Sequence, residues 1–209
     1  MSAREWVPDR PTLPSLRRAA KGCRGCPLYK NATQTVFGEG PSRARVVFIG
    51  EQPGDAEDRS GHPFIGPAGH LLDVALEEAG ISRADVYITN TVKHFKWEPS
   101  GKRRIHKKPG AREVAACRPW LEAELEVLVP EAVVALGATA AQGLLGASFR
   151  VTKDRGKWKS SPLAKKILAT VHPSSILRAP DEESRLRERK RFVRDLRVVA
   201  RFLVSKRSG

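Results

Sequence analysis

Cysteine is scarce in this chain of 209 residues: Cys23, Cys26 and Cys117 are the only three. So small and odd a number excludes a disulfide framework. Long apolar runs are missing too. No stretch reaches the ~18 residues that a spanning helix needs, so no membrane partner is expected. The first residues are charged and broken by Pro8, Pro11 and Pro14, unlike a secretory signal. A reducing, cytoplasmic setting is therefore expected, where a Cys-x-x-Cys pair such as Cys23 and Cys26 reads as a metal or redox site. Acidic residues are outnumbered: 23 Asp and Glu against 38 Lys and Arg leave a formal charge of +15. Such an excess favours a polyanionic partner, nucleic acid first. A surface kept basic for solubility is the plain alternative. No internal repeat is visible and nothing argues for an oligomer, so a monomer is expected.

The chain does hold enough apolar sequence for a core, 40% of residues, in a length that suits one domain over 1–209. Four short apolar runs, 45–50, 86–89, 131–136 and 166–171, lack strict alternation. That pattern suits strands buried on both faces. Helical periodicity fills the gaps. Leu71, Leu72, Ala75 and Ala79 share a face, with Gly80 as a stop. Val114, Cys117, Leu121, Leu125 and Leu128 form a second stripe, which Pro119 should kink or begin. A shorter helix is predicted over 138–145. A long one spans 181–205, its stripe Phe192, Leu196, Val199 and Leu203 set against a solvated face of arginines. Near the N-terminus, 15–20 reads as a helix capped by Ser15. This alternation predicts a three-layer α/β/α sandwich around a four-stranded, mainly parallel sheet. Ligands of such sheets sit beyond the carboxyl ends of the strands.

The residues after each strand are therefore the ones to read. Gly50-Glu51-Gln52-Pro53-Gly54-Asp55 makes a tight turn that brings backbone and carboxylates towards a ligand, and Asp58 follows. Phe64 lies among glycines and prolines, outside any stripe. It is either a stacking platform for a flat ligand or a core plug. Asn90 ends the second strand with an amide that donates and accepts, which suits a nucleobase edge, though asparagine also caps helices. His172 ends the fourth, followed by Pro173, Ser174 and Ser175. Residues 97–109 have no apolar period and read as a basic loop. Lys102, Arg103, Arg104, Lys107 and Lys108 are five cations within seven residues, suited to phosphate, and His106 lies among them.

Taken together, Gly50-Glu51-Gln52-Pro53-Gly54, His62 to Gly69, Asn90-Thr91-Val92-Lys93, Glu113 to Cys117 and Val171-His172-Pro173-Ser174 resemble the uracil-DNA glycosylase superfamily. The likeness is to its iron–sulfur branch, family 4. It runs from about residue 23 to 179 in the family's order. It implies a DNA-repair hydrolase acting on uracil-containing DNA, single- or double-stranded. It also implies a 4Fe-4S cluster held by an N-terminal segment at about 15–30. Cys23, Cys26 and Cys117 match three ligands, and His94 stands where the remaining cysteine is expected. Imidazole can replace thiolate at a cluster iron. Zinc held by the same Cys3His set is the chemical rival.

The Lys102 to His106 segment, Lys-Arg-Arg-Ile-His, resembles a narrower group, UdgX, as do His94 and Gln52. This likeness implies excision of uracil followed by a lasting bond between His106 and the deoxyribose C1′. On this reading Asn90, Phe64, Gly50 and Gln52 hold the flipped base. His172 donates to a carbonyl oxygen, and Glu51 orients His106, takes its proton or stabilises the sugar cation. Asp55 and Asp58 assist. Lys102, Arg103, Arg104, Lys107 and Ser174 meet the DNA backbone. Two alternatives stand beside it: a conventional multiple-turnover glycosylase, and a non-catalytic basic nucleic-acid-binding protein with a structural metal site.

Overall fold

A computed structural model describes residues 1–205 of the chain. In chain order the main elements are α1 (Leu13–Ala20), β1 (Val46–Gly50), α2 (Asp55–Ser60), α3 (Pro67–Ala79) and β2 (Val86–Asn90). Then come β3 (Trp97–Ser100), β4 (Arg103–His106), α4 (Ala111–Leu128), β5 (Ala132–Leu136) and α5 (Ala138–Leu145). The chain continues through α6 (Val151–Asp154), β6 (Trp158–Ser161), β7 (Ala164–Thr170), α7 (Pro173–Leu177) and α8 (Glu182–Ser205).

The four apolar runs form the parallel part of a sheet ordered β2-β1-β5-β7-β6. Every residue of β1, β2 and β5 is buried, as expected of strands covered on both faces. One face packs under α3 and α8, with Phe48, Leu72, Leu76, Phe192 and Leu196 in its core. The other packs under α4 and α5, with Val47, Ile49, Leu121, Leu125 and Leu144. The three-layer α/β/α architecture is thus observed, and the chain's register sets Gly50 beside Asn90 at one level of the sheet. No helix among the described residues is long and apolar enough to cross a membrane.

Three details depart from expectation. The sheet has a fifth strand, β6, antiparallel to β7 at the edge. Its sequence, Trp-Lys-Ser-Ser, is short and polar because an edge strand needs only one apolar contact, so it leaves no hydrophobic run to detect. The basic segment at 97–109 is not a loop. It pairs Trp97 with His106 and Ser100 with Arg103 in an antiparallel hairpin, β3–β4, turning at Gly101 with φ +56°. In α1 the cap is Thr12, and Ser15 completes a capping box from the third helical position. Pro119 lies inside α4, which continues through it to Leu128.

The N-terminal segment forms a third core against α4, with Leu16, Ala20, Phe37, Val92 and Trp120 around the three cysteines.

Candidate active site

The carboxyl ends of β1, β2, β5 and β7 open into a cavity of about 1040 Å³, lined by Glu51, Phe64, Asn90, His106, Thr139 and His172 among others. The strand-end rule therefore leads to this cavity. Behind the lining residues Asn90 and Phe64, Gly50 has no room for a side chain. A Cβ there would run into Asn90 Oδ1 and come within 2.6 Å of Phe64 Cζ. Phe64 packs into the core with 6% exposure and also lines the cavity. Its φ of +57° is rare for an aromatic residue. Gly69 permits that turn, since a Cβ at 69 would overlap the Phe64 carbonyl. Asn90 is 2% exposed, and its Oδ1 is buried with no hydrogen-bond partner among the described residues. An orphaned acceptor inside a ligand-sized cavity asks for a donor from outside the chain.

His172 caps α7. Its Nδ1 accepts the Ser174 backbone N–H at 3.2 Å, so the Ser174 hydroxyl, at 2.8 Å, donates to the same nitrogen. A neutral ring then carries its proton on Nε2. Burial pushes its pKa down to about 4, helped by the Arg178 guanidinium and by His106. The ring centroid lies 5.7 Å from that of Phe64. Ser174, expected at the DNA backbone, holds this imidazole and lines the cavity.

His106 ends β4 with its side chain half exposed and Nε2 3.6 Å from Glu51 Oε1. The other Glu51 oxygen accepts the Thr139 hydroxyl at the start of α5. Burial lowers the His106 pKa from its ordinary value, the Glu51 carboxylate opposes this, and Arg178 adds to it.

The hairpin that carries His106 has almost no core of its own, and polar groups hold it. Gln52 gives Nε2 to the carbonyls of Lys96 (3.2 Å) and Lys107 (3.0 Å), and its Oε1 accepts the Lys96 N–H at 3.0 Å. Both ends of its amide are thus committed to backbone, although Gln52 also lines the cavity. Arg104 is engaged within the protein likewise. Its guanidinium turns inward to Asp55, to Asp58 (2.6 Å) and to the Thr33 hydroxyl (3.1 Å), and stacks 5.5 Å from Phe95 and 5.4 Å from Trp97. A side chain so engaged is not presented to phosphate. Asp58 is fully buried and also accepts the Thr33 N–H, so it grips the hairpin through Arg104 rather than facing the cavity. Asp55 lines the cavity but is shared between Arg59 and Arg104, whose cations hold its carboxyl below the usual range against the effect of burial. Lys102, Arg103 and Lys107 are exposed, with Lys107 paired to Glu98 at 2.8 Å.

Three residues of the site were not anticipated. Glu57 accepts the N–H of Gly54 (3.0 Å) and of Gly66 (2.8 Å), clamping together the two turns that flank the cavity. Its place three residues after Gly54 is a capping-box signal legible in sequence. Thr139 follows the third parallel strand, where the strand-end rule points. Arg178 had no signal beyond its closeness to His172.

The expected metal ligands lie in the third core. Cys23, Cys26 and Cys117 are buried. Cys23 Sγ receives the Gly25 N–H at 3.5 Å and the Trp120 indole N–H at 3.3 Å, and Cys117 Sγ the Lys93 N–H at 3.3 Å. Burial pushes the Cys117 thiol up to about 12 and raises Cys26, with the neighbouring cysteines adding to both. His94 is buried and pushed down to about 4. The Thr35 hydroxyl gives its proton to the Ala20 carbonyl (2.8 Å), so it accepts from His94 Nε2 (3.0 Å), leaving a lone pair on Nδ1. Among the described residues, no group of three or more His, Cys, Asp or Glu is gathered so as to hold a metal ion.

A buried amide, an aromatic floor and a neutral histidine at the ends of parallel strands make a pocket for a flat, hydrogen-bonding ring. The model of the uracil DNA glycosylase superfamily matches residues 37–197, and this chain belongs to that superfamily. It is 44% identical over 166 residues to the Type-4 uracil-DNA glycosylase of Thermotoga maritima, which spans 79% of this chain and 83% of the relative. Against the Type-4 uracil-DNA glycosylase of Pyrobaculum aerophilum it is 37% identical over 175 residues, 80% of this chain and 86% of the relative. The Type-5 uracil-DNA glycosylase of the same organism is 31% identical over 184 residues, covering 79% and 77%.

Proposed function

We propose that this chain excises uracil from DNA and then stays bound to the deoxyribose C1′ through His106, one event per molecule. The observation that carries the reading is that His106 opens onto the same cavity as Asn90, Phe64 and His172, 3.6 Å from the Glu51 carboxylate.

The uracil nucleotide leaves the stack and enters the cavity. Its ring lies on Phe64, and Asn90 Oδ1 accepts N3–H, which gives the orphaned oxygen a donor. His172, neutral with its proton on Nε2, donates to a uracil carbonyl oxygen. As the C1′–N1 bond breaks, its electron pair moves onto the base, and the His172 hydrogen bond strengthens where charge develops. Such preorganised donors commonly contribute 10²–10³-fold, about 3–4 kcal/mol. The sugar becomes cationic, and Glu51 is close enough to stabilise it. An unprotonated ring nitrogen of His106 then gives its lone pair to C1′, forming an N-alkyl imidazolium whose charge Glu51 balances. Because burial lowers the His106 pKa, the ring is neutral and nucleophilic at pH 7. No group in the cavity offers an easy route for its departure.

Cys23, Cys26, Cys117 and His94 would hold the 4Fe-4S cluster. N–H donors already directed at Cys23 and Cys117 suit thiolates, and the lone pair on His94 Nδ1 suits an iron. Zinc requires all four donors within ~2.3 Å of one point. A cluster instead gives each ligand its own iron, and the family resemblance favours it. When bound, the cluster supplies a structural tie between the N-terminal segment and α4.

The test is a uracil-bearing oligonucleotide mixed with protein and run on a denaturing gel. A shifted band stable to heat and detergent is expected. Abasic product in large excess over protein would instead mean conventional turnover, and binding without any base release would mean a non-catalytic module.

A further inference from the structure

We propose that the buried Lys93–Glu124 ion pair is a positioning device for base recognition, fixing the carboxyl end of β2, and with it the Asn90 amide, to helix α4. The inference rests on the reading that Asn90 contacts the base.

Lys93 and Glu124 expose 1% and 0% of their side chains. The Lys93 ammonium spends its three protons on Glu124, the Thr89 hydroxyl at 2.6 Å and the Asn90 carbonyl at 2.8 Å. Glu124 also accepts from the Tyr87 hydroxyl at 2.8 Å and from Thr89 at 3.0 Å. Tyr87, Thr89 and Asn90 all belong to β2, so one residue of α4 organises the strand up to its last member. The Lys93 backbone N–H meanwhile reaches Cys117 Sγ, two helical turns before Glu124 on α4. The ion pair is a cross-brace between the helix and the strand end.

Stability alone does not account for such a brace. A buried ion pair can be replaced by apolar side chains of similar volume with little or no loss of stability, whereas removing one partner strands a charge. What an apolar pair cannot supply is a donor for the Asn90 carbonyl. That matters because Asn90 Oδ1 has no partner among the described residues. Its aim depends on the backbone, held on one side by the Thr91 N–H to Gly50 and on the other by Lys93. A misplacement of ~1 Å at a reacting site can cost ~10²-fold in rate.

The experiment compares the wild-type chain with the double variant K93M/E124L in single-turnover excision on a uracil oligonucleotide, together with thermal melting. The double variant is expected to melt close to wild type and to reach half-saturation at the same DNA concentration. Its saturated rate should fall about 10-fold or more. An unchanged saturated rate in a folded double variant overturns the proposal. Should that variant not fold, E124Q keeps an acceptor for Tyr87 while removing the charge facing Lys93. It is expected to slow saturated excision several-fold, and a wild-type rate there also overturns the proposal. Asn90→Ala separates the two layers. If it excises at the wild-type rate, the reading of Asn90 fails and the brace has nothing to aim. If it is slow while the pair variants are not, only the brace fails.

Discussion

The two sides of the cavity are built differently. The floor, Asn90, Phe64 and His172, is fixed by the core: Asn90 ends a fully buried strand, Phe64 belongs to the core that holds Leu72 and Leu76, and His172 caps α7 over Ser174. The wall that carries His106 is a two-stranded hairpin with mostly exposed residues, hung from Gln52 and from Arg104 between Asp55 and Asp58. On the proposed reading, base recognition is thus as rigid as the fold, while the proposed nucleophile depends on a few polar bonds. The two functions should be separable by substitution.

The largest expected effect lies on the floor. His172→Ala removes the donor to the departing base and should slow excision about 10²–10³-fold in single-turnover kinetics, with the hairpin untouched. A hairpin substitution should instead divert the reaction. Arg104→Met leaves Asp58 buried and unpaired, at a cost of about 3 kcal/mol, and frees the hairpin. On a gel resolving adduct from abasic product, the ratio should shift about 10-fold or more towards free product. If both products fall together, floor and wall are one unit and the contrast fails.

Acidity sharpens the contrast next. Burial lowers the His106 pKa below the ordinary 6.5, so its neutral form persists as pH falls through that value. The adduct-forming rate should be level from pH 8 to about 6.5 and drop only below it. Stability follows from His172. Its folded pKa of about 4 lies below 6.5, so between these values the unfolded chain binds more protons and stability declines as pH falls. Thermal melts from pH 7 down to pH 5 should show that decline. The smallest effects belong to the exposed cations. Lys102→Ala or Arg103→Ala should each lower the salt dependence of DNA binding by about one phosphate contact, leaving the saturated rate unchanged.

How much of this was legible before folding also divides along the same line. Strands 45–50, 86–89, 131–136 and 166–171 announce themselves as apolar runs, and the rule that ligands gather beyond their ends leads to Glu51, Asn90 and His172. The hairpin was read as a loop because it is stabilised from outside. Neither the alternation of Trp97 to Ser100 nor that of Arg103 to His106 carries an apolar face, and its anchors lie about 50 residues away. For the same reason Arg104 read as a phosphate contact and Gln52 as a base contact. A residue type states what bonds a side chain can make, and only the fold states which partner takes them. The fifth strand escaped notice as a polar edge, and nothing in the sequence marks Lys93 and Glu124 as a pair until the packing encloses them.

The proposed bond between His106 and the deoxyribose C1′ is tested most directly by mapping it. The protein is incubated with a uracil-bearing oligonucleotide, the product is digested with nuclease and protease, and the peptides are analysed by mass spectrometry. The account expects the sugar remnant on the peptide containing His106, in a ratio near one per chain. A remnant on any other residue, or abasic DNA accumulating well beyond one per chain with no modified peptide, would contradict it.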